Sequence, residues 1–181
     1  MEKITSFTID HLKLQPGLYV SRKDKVGEET VTTFDLRLTS PNEEPVMNTA
    51  EVHTIEHLAA TFLRNHPVYK DKTIYFGPMG CQTGFYLLVR SAQSPKEVFD
   101  MTKKVLKQII DHEGEVFGAS AIECGHYENL SLEAARMEAK LDLEVLEAQT
   151  KILVASASPS PRSERACLSA SAIFTTTSLS A

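Results

Sequence analysis

Asn48-Thr49-Ala50-Glu51-Val52-His53-Thr54-Ile55-Glu56-His57-Leu58-Ala59-Ala60-Thr61-Phe62-Leu63 decides how the chain is read. Asn48 followed three residues later by Glu51 is a capping-box start. Val52, Ile55, Leu58, Ala59, Phe62 and Leu63 then recur at helical spacing, and Pro67 lies just past the end. Two histidines four apart on such a helix project from one face, about 5–6 Å apart at Cβ, so they can share one metal ion. Glu56 stands one residue before the second histidine, within reach of a substrate carbon or a metal-bound water.

Two further helices are predicted. Ser94-Pro95-Lys96-Glu97 places a hydroxyl at the cap, Pro at the first helical position and Glu at the third. Val98, Met101, Val105 and Ile109 form the stripe that follows, and Gly114 ends it. The third runs from about Ser131 to Gln149. Strands fill the gaps. In Thr30–Leu38, Phe34, Leu36 and Leu38 face one side and Asp35 and Arg37 the other. Lys72–Phe76 and Gly84–Arg90 read as two more, joined by Gly77-Pro78-Met79-Gly80-Cys81-Gln82. Thr5–Ile9, Gly17–Ser21 and Val116–Ile122 are shorter candidates. The pattern predicts an α+β fold, a mainly antiparallel sheet packed with three to four helices.

Composition bounds the function. The 181 residues are 42% apolar and 24% charged, which permits a sizeable core. A net charge of −5 argues against nucleic-acid and anionic-membrane partners. Three scattered cysteines, Cys81, Cys124 and Cys167, make no disulfide framework and suit a reducing compartment. With no apolar leader core or membrane-length apolar run, a cytoplasmic protein is expected. Residues 151–181 are rich in Ser, Ala and Thr, carry +2, and have no period that could bury a face. They read as a disordered or dispensable extension, leaving 1–150 to carry the fold and the chemistry.

A two-histidine site needs a third ligand and an open position for chemistry. Cys81, Cys124, His126, Asp35 and Glu133 are the candidates. Thiolate is a strong ligand for Zn or Fe(II), and Cys124 is expected at a strand end before a helix. Cys81 sits between Gly80 and Gly84, which let backbone approach a ligand closely; a nearby cation would make its thiol a usable acid or base. Arg37 could bind a carboxylate or hydroxyls, although a lone arginine is more often a solvated charge. His-x-x-Glu-His is also the order of inverted zincin peptidases, in which Glu56 would activate water and Glu133 would be the third ligand. A non-catalytic, metal-stabilised dimerisation module is the other alternative.

Taken together, Ser6-Phe7 with Asp10-His11, Phe34-Asp35-Leu36-Arg37 before Pro41-Asn42, His53-Thr54-Ile55-Glu56-His57-Leu58, Gly77-Pro78-Met79-Gly80-Cys81-Gln82-Thr83-Gly84-Phe85-Tyr86 and Glu123-Cys124-Gly125 resemble the S-ribosylhomocysteine lyase (LuxS) family over roughly residues 3–148. The resemblance implies a homodimer with its active sites at the subunit interface. It implies His53, His57 and Cys124 as metal ligands, with Fe(II) the family's metal and Zn or Co substitutes. Glu56 and Cys81 match the general acid/base pair, and Ser6, His11 and Arg37 match positions lining the substrate pocket. The implied reaction cleaves a thioether to homocysteine and 4,5-dihydroxy-2,3-pentanedione, the precursor of the quorum-sensing signal autoinducer-2, and serves the methyl cycle. The chain departs from the common pattern at Thr33, Tyr75, His126 and Leu130.

Overall fold

The computed structural model describes residues 7–90, 94–149 and 153–154. His11–Val154 form one compact unit; Met1–Asp10 and Ala155–Ala181 group as a second, of which only Phe7–Asp10 are described. Ser6 and Cys167 lie outside the described residues.

The sheet is built around β2 (Glu29–Arg37), flanked by β1 (Gly17–Val26) and β4 (Gly84–Arg90), with β3 (Thr73–Pro78) beyond β4. All three pairings among these four strands are antiparallel. A two-residue strand, β5 (Leu153–Val154), pairs parallel with Tyr19 and Val20 and gives the order β3-β4-β2-β1-β5. The expected mainly antiparallel sheet is therefore present, and two residues assigned to the extension belong to it. The β1–β2 hairpin closes through Gly27-Glu28, between the paired Val26 and Glu29. Gly27 has φ +62°, the conformation that a two-residue hairpin loop needs at its first position.

Three helices pack on one sheet face: α1 (Thr49–Asn65), α2 (Pro95–Asp111) and α3 (Leu132–Ala148). Each begins as its sequence dictates. Asn48 Oδ1 accepts from the N–H groups of Ala50 and Glu51, while Glu51 accepts from the Asn48 N–H at 2.7 Å. Glu97 reaches back to the Ser94 N–H at 3.3 Å, and Ser131 Oγ accepts from Ala134 N. The period-2 residues of the strands and the stripes of the helices meet in one core. Leu18, Val20, Phe34, Leu36, Phe85, Leu87 and Val89 lie against Ile55, Leu58, Leu63, Val98, Val105 and Ile109. Each such side chain contributes about 1.5–3 kcal/mol on burial.

Two expected short strands are not observed. Residues 7–9, the described part of the Thr5–Ile9 candidate, are 3₁₀ and bend. Val116–Ile122 is a series of tight turns, with Ala119 N–H donating to Val116 and Cys124 N–H to Ser120. Gly118, at φ +72°, breaks extended geometry, and Ala119-Ser120-Ala121 lack the β-branched and aromatic side chains that favour strands. Cys124 is thus held by turns ahead of a 3₁₀ turn (Tyr127–Asn129), not at a strand end.

Candidate metal and acid-base site

His53, Glu56 and His57 lie on α1 beside the buried stripe of Val52, Ile55, Leu58 and Ala59, and all three are half-buried. The imidazole rings of His53 and His57 meet edge to face, 4.7 Å between centroids. Cys124 Sγ lies 3.3 Å from His53 Nε2. One donor atom from each of His53, His57 and Cys124 falls within 4.8 Å of the others, a group that could hold a metal ion. Two imidazoles and one thiolate suit Zn or Fe(II) and leave a coordination position for substrate.

The surroundings suit these candidate ligands to a metal. His57 Nδ1 is 2.7 Å from the Phe117 carbonyl. A carbonyl only accepts, so Nδ1 carries the proton and Nε2 keeps a lone pair. Cys124 Sγ accepts from the His126 N–H at 3.4 Å. Burial first, and then the nearby His57 and His126, lower the His53 pKa and favour the neutral, metal-binding imidazole. Thr54, next to His53, is fully buried: its hydroxyl donates to Ala50 O and accepts from the Ser131 N–H at 2.8 Å, joining the start of α3 to α1. Burial raises the Glu56 pKa and outweighs the opposing influence of His57, so its carboxyl holds a proton more readily than a free glutamate.

The other candidate ligands are engaged differently. Glu133 is exposed in the first turn of α3 and outside the group. His126 contributes its backbone N–H, and Asp35 is committed to Arg37.

A second cluster gathers at the end of β2 and the β3–β4 turn. Arg37 and Asp35 form an ion pair at 2.7 Å, with side chains 3% and 5% exposed. Of the two readings of Arg37, the solvated charge is excluded, and the carboxylate it binds here is that of Asp35. That partner stands two residues earlier on the same strand face. Asp35 Oδ1 and Arg37 Nε are buried without a hydrogen-bond partner among the described residues. Burial raises the Asp35 pKa, against the pull of Arg37 and of His11, which is half-buried nearby.

Arg37 also donates to Thr83 Oγ1 and lies 3.8 Å from Cys81 Sγ. Cys81 is exposed at the turn and shares a 3.0 Å hydrogen bond with Thr83 Oγ1. Burial pushes the Cys81 thiol up, but its bonds to Thr83 and the Arg37 charge outweigh it and lower the pKa. The turn is rigid: Met79 N–H donates to Gly84 O, Met47 N–H to Gln82 O and Leu38 N–H to Thr83 O. Gln82 is left-handed at φ +58°. A Cβ on Gly84 would lie 2.1 Å from the Leu36 carbonyl, so only glycine lets β4 begin against β2 there.

At the four positions that depart from the common pattern, the structure places ordinary neighbours. Thr33 is buried on the Asp35 face, the Tyr75 hydroxyl lies over Gly77, and Leu130 packs against the core. His126 is exposed beside Cys124.

The family described as S-ribosylhomocysteinase (LuxS) matches residues 4–152. The chain belongs to this S-ribosylhomocysteinase (LuxS) family. Relatives named S-ribosylhomocysteine lyase agree with that membership. The one from Clostridium acetobutylicum is 61% identical over 135 residues, 75% of this chain and 85% of its own. The one from Finegoldia magna is 53% identical over 146 residues, 81% of this chain and 92% of its own. The one from Phocaeicola vulgatus is 51% identical over 152 residues, 83% of this chain and 94% of its own. For this LuxS-family chain the peptidase alternative loses its ligand set, since Cys124 and not Glu133 joins the histidines. Phe117, Gly118 and Thr54 escaped the sequence reading. Two of them act through backbone or the lack of a side chain, and Thr54 acts by joining α3 to α1, a tertiary contact with no local signature.

Proposed function

We propose that the chain is an S-ribosylhomocysteine lyase, a carbon-sulfur lyase that releases homocysteine and 4,5-dihydroxy-2,3-pentanedione. The observation that carries the reading is a family match over residues 4–152 that contains a converging His53, His57 and Cys124. These three would hold one divalent metal per chain, Fe(II) with Zn or Co as substitutes. When bound, it supplies Lewis-acid stabilisation of negative charge on the sugar oxygens.

The chemistry needs no water and no net redox change. The ribose carbonyl moves from C1 to C2 and then to C3, each move taking a proton from the carbon beside the carbonyl and returning one to the former carbonyl carbon. With the carbonyl at C3, the C5 sulfur is β to it, and loss of the C4 proton expels homocysteine thiolate. Glu56 and Cys81 divide the proton transfers. The carboxyl with its raised pKa holds and releases a proton, and the thiol with its lowered pKa supplies a base. Arg37, with Ser6 and His11, binds the substrate's polar groups, and the Asp35 ion pair fixes the guanidinium.

The fold supports a homodimer as the working form. The residues given roles here fall into two clusters, His53/Glu56/His57/Cys124 and Arg37/Cys81/Thr83, and a site at a subunit interface would let each chain supply one to the other. Among the described residues no helix is long and apolar enough to cross a membrane, and we place the enzyme in the cytoplasm, with residues 151–181 accessory to the 1–150 catalytic domain. The product's onward use is as the autoinducer-2 precursor, while homocysteine returns to the methyl cycle.

The test is incubation of the metal-loaded protein with S-ribosylhomocysteine and a thiol reagent. Thiol release is expected from the parent chain. Glu56→Gln and Cys81→Ala should keep their metal and lose about 100-fold or more in kcat. Cys124→Ala should lose metal as well as turnover. Absence of thiol release by the well-metallated parent would overturn the reading.

A further inference from the structure

We infer that the Phe117-Gly118 peptide is a clamp that fixes the tautomer and ring plane of His57, making these two positioning residues for the metal. The inference rests on the proposed metal-binding role of His57. The Phe117 carbonyl is 2.7 Å from His57 Nδ1, so it holds that nitrogen protonated and leaves only Nε2 to ligate. The next residue walls the ring. A Cβ on Gly118 would stand 3.3 Å from His57 Nδ1 and 3.5 Å from Cε1. Gly118 also sits at φ +72°, where an L side chain is strained. One peptide thus supplies both the acceptor and the surface against which the imidazole lies.

The clamp is anchored on both sides. Val116 is buried, and Ala119 N–H and Ser120 N–H close turns onto Val116 O and Gly118 O. The Phe117 ring meets Phe62 edge to face at 5.6 Å and His112 at 4.8 Å, while Phe62 and His112 stand 5.9 Å apart. Phe62 is on α1, five residues after His57, and His112 caps α2. His112 Nε2 is 2.9 Å from the Glu115 carbonyl. The aromatic trio therefore ties the clamp to the helix that carries the ligand it orients.

Gly114 provides the control. Its φ is +94°, and a Cβ there meets nothing within 4 Å. G114A imposes left-handed strain on the same loop without touching His57. Zinc affinity is measured by competition with a chelator. G118A should bind zinc 10- to 100-fold more weakly, the range for losing an outer-shell partner, and G114A within threefold of the parent. Equal affinity of G118A and parent, or an equal loss in G114A, would overturn the clamp. Nitrogen-15 NMR of the zinc-loaded parent decides the matter independently, including the case in which G118A does not fold. His57 ligating through Nε2, with a slowly exchanging proton on Nδ1, is expected; ligation through Nδ1, or a freely exchanging proton there, overturns it. A parent chain that takes up no zinc through His57 overturns the metal reading itself, a result distinct from failure of the clamp.

Discussion

The proposed proton transfer by Cys81 is favoured by a thiol that ionises more readily, and the neighbours of Cys81 shift it in that direction. Thr83 Oγ1 at 3.0 Å and the Arg37 guanidinium at 3.8 Å both favour thiolate, against the cost of partial burial. Alkylation of Cys81, followed by mass spectrometry of its peptide, should therefore rise with a midpoint below the ordinary thiol value of about 8.5. Thr83→Val removes one of the favouring bonds and should move the midpoint up; an unchanged midpoint would remove Thr83 from the account. At this scale the sequence was partly legible. Glycines flanking Cys81 marked a presented thiol, and Asp35-Leu36-Arg37 on a strand contained the ion pair, because residues two apart share a face. The roles of the Phe117 carbonyl and of Gly118 were not legible, since a backbone group leaves no side-chain signature.

Among the elements, the helices were the most readable, because their caps are local chemistry. Asn48 with Glu51 and Ser94 with Glu97 set the starts of α1 and α2 within a few residues. The Val116–Ile122 segment was misread because a few apolar residues near a glycine satisfy a strand pattern while forming turns. Helix α3 carries an unusual residue of its own. Asp142 is 1% exposed, and its Oδ2 has no partner among the described residues. Burial first, and then the charges of Glu138 and Glu51, raise its pKa well above the ordinary value. The folded state therefore keeps a proton that the unfolded state releases as pH rises past the ordinary aspartate range. Stability falls through that window, until the folded-state pKa is passed. Asp142→Asn cannot ionise. It should match the parent at acid pH and exceed it at neutral pH by about 1 kcal/mol, or about 2–4 °C in Tm. A difference that does not vary with pH would show that Asp142 is not the titrating group.

At the largest scale, the His11–Val154 unit is a sheet with its helices on one face and a buried Asp35–Arg37 pair on the opposite side of the central strand. That opposite side, with the Cys81 turn at its end, is where the proposed second subunit would complete the active site. Sedimentation equilibrium should give twice the 20.1-kDa chain mass. Mixing Glu56→Gln and Cys81→Ala chains offers a stricter measurement. If each site draws on both subunits, hybrids regain turnover that neither parent variant has, whereas a self-contained site yields no recovery. The antiparallel sheet was foreseeable from alternating residues, but its pairing order was not, because strand neighbours are chosen by long-range packing and not by local pattern.

Cys124 stands 71 positions along the chain from His53, yet their side chains touch. A metal held by both would act as a cross-link, closing a long loop and removing conformations from the unfolded chain much as a disulfide does. Chelation should therefore lower Tm as well as abolish turnover, and the first protease cuts in the chelated protein should fall in the turns of residues 112–126. In a cell that ran short of the ion, such a protein would be lost to degradation instead of persisting as an idle pool awaiting reloading.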